Sequence, residues 1–115
     1  VARERTATYL PRAVEAGVPV CLAGDSLHGV LWREAVLLAR LGVPPAQVLA
    51  AVTTNGARLL GIDDRVGTLA PGKVADLIAV DGNPLEDMGA LGAVRLVVKG
   101  GRVVKSAPEP ARTVS

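Results

Sequence analysis

Residues 18–24, Val-Pro-Val-Cys-Leu-Ala-Gly, are apolar at every position rather than at alternate ones. A strand with one face in water alternates, so a short β-branched run of this kind reads as a strand buried on both faces, as in a parallel sheet. Such a strand has two edges of backbone N–H and C=O groups to satisfy. The rest of the chain offers no parallel neighbour for it. Residues 1–62 are therefore expected to be a piece of a larger barrel or open sheet. The start at Val1 rather than Met is read as a chain that begins mid-gene or was excised.

Helical spacing surrounds this run. Residues 6–16 carry Leu10 and Val14 on one side, with Gly17 as a stop, although Pro11 removes a backbone donor from the interior. Residues 30–42 place Leu31, Ala35, Leu38 and Leu41 on one face and close on Gly42. Residues 44–62 are a second helical stretch. Pro44 and Pro45 suit its first turn, where no donor is needed, and Asn55-Gly56 is the expected break. From residue 66 the punctuation changes. Pro71-Gly72 fits a type II turn and Asp81-Gly82-Asn83-Pro84 a loop, with a strand over 75–80 between them. Residues 94–104 form a hairpin pattern around Gly100-Gly101, which tolerate the positive φ of the tight primed turns. Residues 66–105 are expected to be part of a small separate sheet, and the Pro-rich segment 106–115 a flexible tail.

The 115 residues are half hydrophobic, with one Trp, one Tyr and no Phe, so the core must be built from Val, Leu and Ala. The net charge of +2 comes from basic residues scattered from Arg3 to Arg112, which is not the clustered stripe of a nucleic-acid binder. No apolar stretch approaches the roughly 20 residues of a membrane span. The charged N-terminal residues are followed by no apolar core, so they do not read as a signal peptide. The lone Cys21 excludes an internal disulfide and a Cys-based zinc site, and fits a cytoplasmic location.

Directly after the apolar run stand Asp25, Ser26 and His28, the chain's single histidine. An acid before a helix is an ordinary N-cap, its side-chain oxygen accepting a backbone N–H. It is also what chemistry at the end of a barrel strand uses. Both readings of Asp25 stay open on the residues alone. Ser26 reads as the cap itself, since no second histidine exists to activate it as a nucleophile. Thr53, Thr54 and Asn55 read as backbone partners at the helix junction, Trp32 as a packing anchor, Arg33 and Glu34 as a solvated helix face, and Asp76 as the start of a strand.

Residues 16–26 (AGVPVCLAGDS), 39–62 (ARLGVPPAQVLAAVTTNGARLLGI), 67–88 (GTLAPGKVADLIAVDGNPLEDM) and 94–104 (VRLVVKGGRVV) together resemble the C-terminal end of metal-dependent amidohydrolases. The resemblance is to the branch holding imidazolonepropionase-like and Xaa-Pro dipeptidase-like enzymes. It implies an α/β fold: residues 1–62 as the last βα segment of a (β/α)8 barrel, with 18–24 as its eighth strand, and 66–105 as C-terminal strands of a small β-sandwich. It implies one or two divalent metals, commonly zinc, held by a His-x-His, a Lys or Glu, two further histidines and an Asp ending the eighth strand. Asp25 matches that Asp. It would be at once a metal ligand and the base that takes a proton from the bound water and passes it to a leaving amine. His28-Gly29 matches a His-Gly of the same loop, which implies substrate contact for His28. This chain has Ala23-Gly24-Asp25 where the family often has Gly-Thr-Asp, and the other ligand motifs are absent from it.

Two functions follow. One is a C-terminal fragment of an amidohydrolase whose parent hydrolyses a C–N bond in a cyclic amide or dipeptide-like substrate through a metal-bound hydroxide. One Asp and one loop His cannot hold a catalytic zinc, which takes three protein ligands, so no cofactor and no activity are expected of the chain alone. The other is a non-catalytic remnant serving as an association or structural subunit. A lone βα segment exposes apolar surface, so self-association or contact with the missing barrel is expected of either.

Overall fold

The computed structural model describes residues 2–24 and 28–108, the side chains of Ala2, Arg3 and Thr6 excepted. Asp25, Ser26 and residues 109–115 lie outside the described residues. The order is helix α1 (Ala2–Glu15), α2 (Leu31–Arg40), α3 (Pro45–Ala51), α4 (Thr54–Leu59), strand β1 (Leu77–Val80), a 3-10 turn (Met88–Gly92), and strands β2 (Val94–Lys99) and β3 (Arg102–Ser106).

Helices α1, α2 and α4 stop where a glycine supplies a positive φ. Gly42 has φ +94°, its N–H donates to the Ala39 carbonyl, and the N–H of Val43 donates to Leu38. This double bond pattern closes the helix by filling its orphan carbonyls. It turns Val43 back into the core, where it is 2 % exposed. Gly17 and Gly61 end α1 and α4 by the same pattern of bonds. Pro45 opens α3 behind Pro44, as expected. The break between the last two helices falls at Val52–Thr53 rather than at Asn55-Gly56, which lie inside α4. Thr53 explains the shift: its hydroxyl donates to the Leu49 carbonyl at 2.6 Å, replacing a helical partner.

The core is a cluster of Ala35, Leu38, Val43, Val48, Ala51 and Met88. Val48 is fully buried. Met88 comes from the 3-10 turn between β1 and β2, so the helices and the sheet region share one apolar cluster. Trp32 reinforces the join. A Cβ built on Gly92 would come within 3.0 Å of the Trp32 ring, so this ring packs flush against a residue with no side chain. Arg33, expected to be solvated, lies 5.4 Å from the centroid of the same ring.

The expected buried strand at 18–24 is not a strand in this chain. Residues 18–24 carry no regular secondary structure, because no strand among the described residues lies beside them to form a ladder. Val20 and Leu22 pack half-buried against the core, while Val18, Cys21 and Ala23 are exposed. A run that is apolar on both sides thus buries only one.

β1, β2 and β3 form an antiparallel sheet in that order, with Leu77 opposite Val98, and Lys99 opposite Arg102. The hairpin turn has φ +56° at Gly100 and +79° at Gly101, the two positive values that a type I′ turn needs. Ala70 to Lys73 close the expected turn at Pro71-Gly72 through Lys73 N–H to the Ala70 carbonyl, with φ +84° at Gly72. β3 carries the ladder past the expected boundary at 105: Ser106 pairs with Leu96, and the N–H of Ala107 donates to Arg95. Asp76 latches the hairpin from outside. Its Oδ1 accepts from the N–H of Gly100 at 2.7 Å, and its Oδ2 meets the Lys99 ammonium.

The Lys99 contact, with the Gly100 N–H behind it, holds the Asp76 carboxyl below the ordinary aspartate range. Its folded pKa is lower than its unfolded one. The stability it contributes is therefore complete above the ordinary carboxylate value of about 4, and is lost as the pH falls through that value and on through the lower folded one. Asp76→Asn keeps an acceptor for Gly100 but carries no charge. Thermal midpoints measured from pH 7 to pH 2 should fall less steeply at the acid end for Asp76→Asn than for wild type; parallel curves would show that the latch carries no charge-dependent stability. In the core, Leu38→Ala should cost about 2–5 kcal/mol by denaturant unfolding, the usual scale for a buried leucine.

Candidate functional site

The 18–24 segment delivers the chain to the loop of interest, and two hydrogen bonds hold it. The N–H of Leu22 donates to the carbonyl of Ala51 at 3.0 Å. Asn55 Nδ2 donates to the carbonyl of Val20 at 2.8 Å, across 35 positions of sequence. Asn55 was expected to serve the backbone at its own helix junction; only Thr53 does so. No periodicity marks Asn55. The available signal was an amide in an otherwise apolar helical stretch.

Past Gly24 the chain is described again at His28, which is exposed in a turn completed by Gly29 at φ +81°. α2 begins at Leu31, and its N-cap is Val30, with no side-chain capping bond. The expected Asp25 and Ser26 caps fall on residues outside the described ones.

Two apolar clefts flank the helix–sheet junction. One, of about 450 Å³, opens beside Gly29 and is walled by Leu31, Trp32, Leu49, Val52, Ile78 and Leu91. Among its described lining residues, the Thr53 hydroxyl is already bonded to the Leu49 carbonyl. The other, of about 470 Å³, runs between α4 and β1, and its only ionisable lining residue is Asp76. Asp76 is committed to Lys99 and Gly100. Among the described residues neither cleft brings an acid and a base together.

Among the described residues no three His, Cys, Asp or Glu side chains come together in a group that could hold a metal ion. By themselves they do not fit a catalytic metal centre, which takes three protein ligands. No described helix is long and apolar enough to cross a membrane.

The family model described as the amidohydrolase family matches residues 3–104. Among curated relatives, the imidazolonepropionase of Geobacillus kaustophilus (strain HTA426) is 37 % identical over 102 residues, covering 81 % of this chain and 24 % of that protein. The imidazolonepropionase of Anaeromyxobacter dehalogenans (strain 2CP-1 / ATCC BAA-258) is 40 % identical over 114 residues, covering 90 % of this chain and 27 % of that protein. Among solved structures, a Xaa-Pro dipeptidase with methionine bound in its active site superposes with a TM-score of 0.79 at 37 % identity, covering 87 % of this chain and 25 % of that one. The chain thus spans about a quarter of the length of the curated relatives it matches. From a family match running almost end to end, and from neighbours that share its mixed helix–strand fold, the chain belongs to the amidohydrolase family.

Proposed function

We propose that the chain is the C-terminal portion of a metal-dependent amidohydrolase whose parent hydrolyses a C–N bond in a cyclic amide or a dipeptide-like substrate. The carrying observation is the family match over residues 3–104, joined to relatives named for an imidazolone ring and a Xaa-Pro peptide bond. On this reading residues 1–62 are the end of a (β/α)8 barrel, with 18–24 as its eighth strand. Residues 66–105 are strands of a composite β-sandwich. The lack of a strand partner for 18–24 among the described residues, and its exposed side, support that assignment, since neighbouring strands would supply both.

In this reading Asp25 supplies the carboxylate that the reaction needs. Its oxygens take the proton from the attacking water and return it to the leaving nitrogen, so one group serves as base and then as acid. His28, exposed in the adjoining turn, contacts the substrate. Asp25 is also proposed as a ligand of a divalent metal, zinc, whose remaining ligands this chain does not hold. The resemblance implies a divalent metal, which when bound would polarise the attacking water.

A second reading rests on the exposed apolar side chains of the chain: Leu59, Leu60 and Leu69 are 75 %, 71 % and 77 % exposed. Such surface suits a non-catalytic subunit held by self-association as well as it suits contact with a barrel.

Two measurements separate these readings. In the full-length enzyme, assayed with imidazolone propionate and with Xaa-Pro dipeptides, Asp25→Asn should lower kcat by roughly a hundredfold or more. Its unfolding midpoint should stay near wild type, because an asparagine of equal size replaces the acid. Near-normal turnover in folded Asp25→Asn would refute the catalytic assignment. Calorimetric titration of this 115-residue chain with zinc should give no stoichiometric sub-micromolar binding; finding such binding would place a complete centre in the chain and overturn the ligand assignment.

A further inference from the structure

Residues 18–24 reach the Asp25–His28 loop without a strand on either side, yet two of their backbone groups are paired. Both partners come from the α3–α4 corner. Ala51 is the last residue of α3, and the final carbonyls of a helix have no acceptor role left inside it, so this one is free to take the N–H of Leu22. Asn55 adds the complementary bond two residues back, at Val20. A carbonyl oxygen can only accept, so the Asn55 atom facing it must be the amide nitrogen. An ionised acid, a smaller residue or a turned-over amide would leave the half-buried Val20 carbonyl without a donor. Asn55 gains nothing for α4 by this contact. Its side chain spends its donor on a segment 35 positions away.

We propose that Asn55 is a positioning residue: through the Val20 carbonyl it sets where the chain leaves Gly24, directly ahead of Asp25. This rests on the reading of Asp25 as the catalytic carboxylate. Displacing a reacting group by about 1 Å costs up to a hundredfold in rate. A lost clamp should therefore act on turnover and not only on stability.

The test has two parts. In this chain, Asn55→Ala should speed amide hydrogen exchange at Leu22 while leaving the β2 amides protected; unchanged exchange at Leu22 overturns the clamp. In the full-length enzyme, with imidazolone propionate and Xaa-Pro dipeptides as substrates, Asn55→Ala should lower kcat per folded molecule by roughly tenfold to a hundredfold. Wild-type kcat per folded molecule overturns the positioning role. Asn55→Asp, equal in size, supplies a signature that a purely structural residue would not give. Ionised, it repels the Val20 carbonyl; protonated, it donates to it. The ratio of its kcat to that of wild type should rise as the pH falls, and a flat ratio counts against the proposal. Loss of all amide protection in both variants also overturns it, since Asn55 would then determine the fold rather than the loop. Asp25→Asn separates the two layers. If its turnover is normal, the reading of Asp25 fails; if only the Asn55 variants are normal, that reading stands and the positioning role falls.

Discussion

The hydrogen bond from the N–H of Leu22 to the carbonyl of Ala51 ties a segment with no strand partner to the end of a helix. Much of the helical half depends on it. With the segment held there, Val20 and Leu22 pack against the core cluster that holds Ala35, Leu38, Val48 and Ala51, as do Leu10 and Val14 of α1. Backbone polarity, rather than side-chain shape alone, therefore decides which face of an all-apolar run is buried. Such a run carries no instruction of its own about which side to hide.

The small side chains of this core make its joints tight. Ala35, Ala51, Ala57 and Ala90 are all buried, and no phenylalanine is available to bridge a gap. Close approach takes the place of bulk. The Trp32 ring lies on Gly92, and Gly67 runs so near α4 that a Cβ there would stand 2.8 Å from that of Ala57. Proteins are packed as densely as organic crystals, so contacts like these leave little room to adjust.

What could be read from sequence was what local chemistry settles. The turns at Pro71-Gly72 and Gly100-Gly101 and the opening of α3 at Pro44-Pro45 follow from φ preferences of one or two residues. What could not be read needed partners far along the chain. The Thr53 hydroxyl moves a helix break by competing for a carbonyl. Met88 crosses from the sheet region into the helical core, and Asn55 reaches back to Val20. For the site, the sequence reading of Asp25 came from resemblance rather than periodicity, and Asp25 itself lies outside the described residues. The reading of His28 came from the same resemblance, and the structure places it exposed in a turn with Gly29 at φ +81°.

The latch at Asp76 has a consequence for the sheet as a whole. β1 reads Leu-Ile-Ala-Val, four apolar residues with no polar member to mark inside from outside. Sliding it by two places along β2 would exchange one aliphatic contact for another, and its own side chains would barely resist. Asp76 supplies the missing index. Its carboxylate meets the hairpin at Gly100 and Lys99, and the neighbouring Ala75 carbonyl takes the N–H of Gly101. Only one alignment of β1 satisfies all three, so the strand is counted into place from the turn and not from its own apolar face.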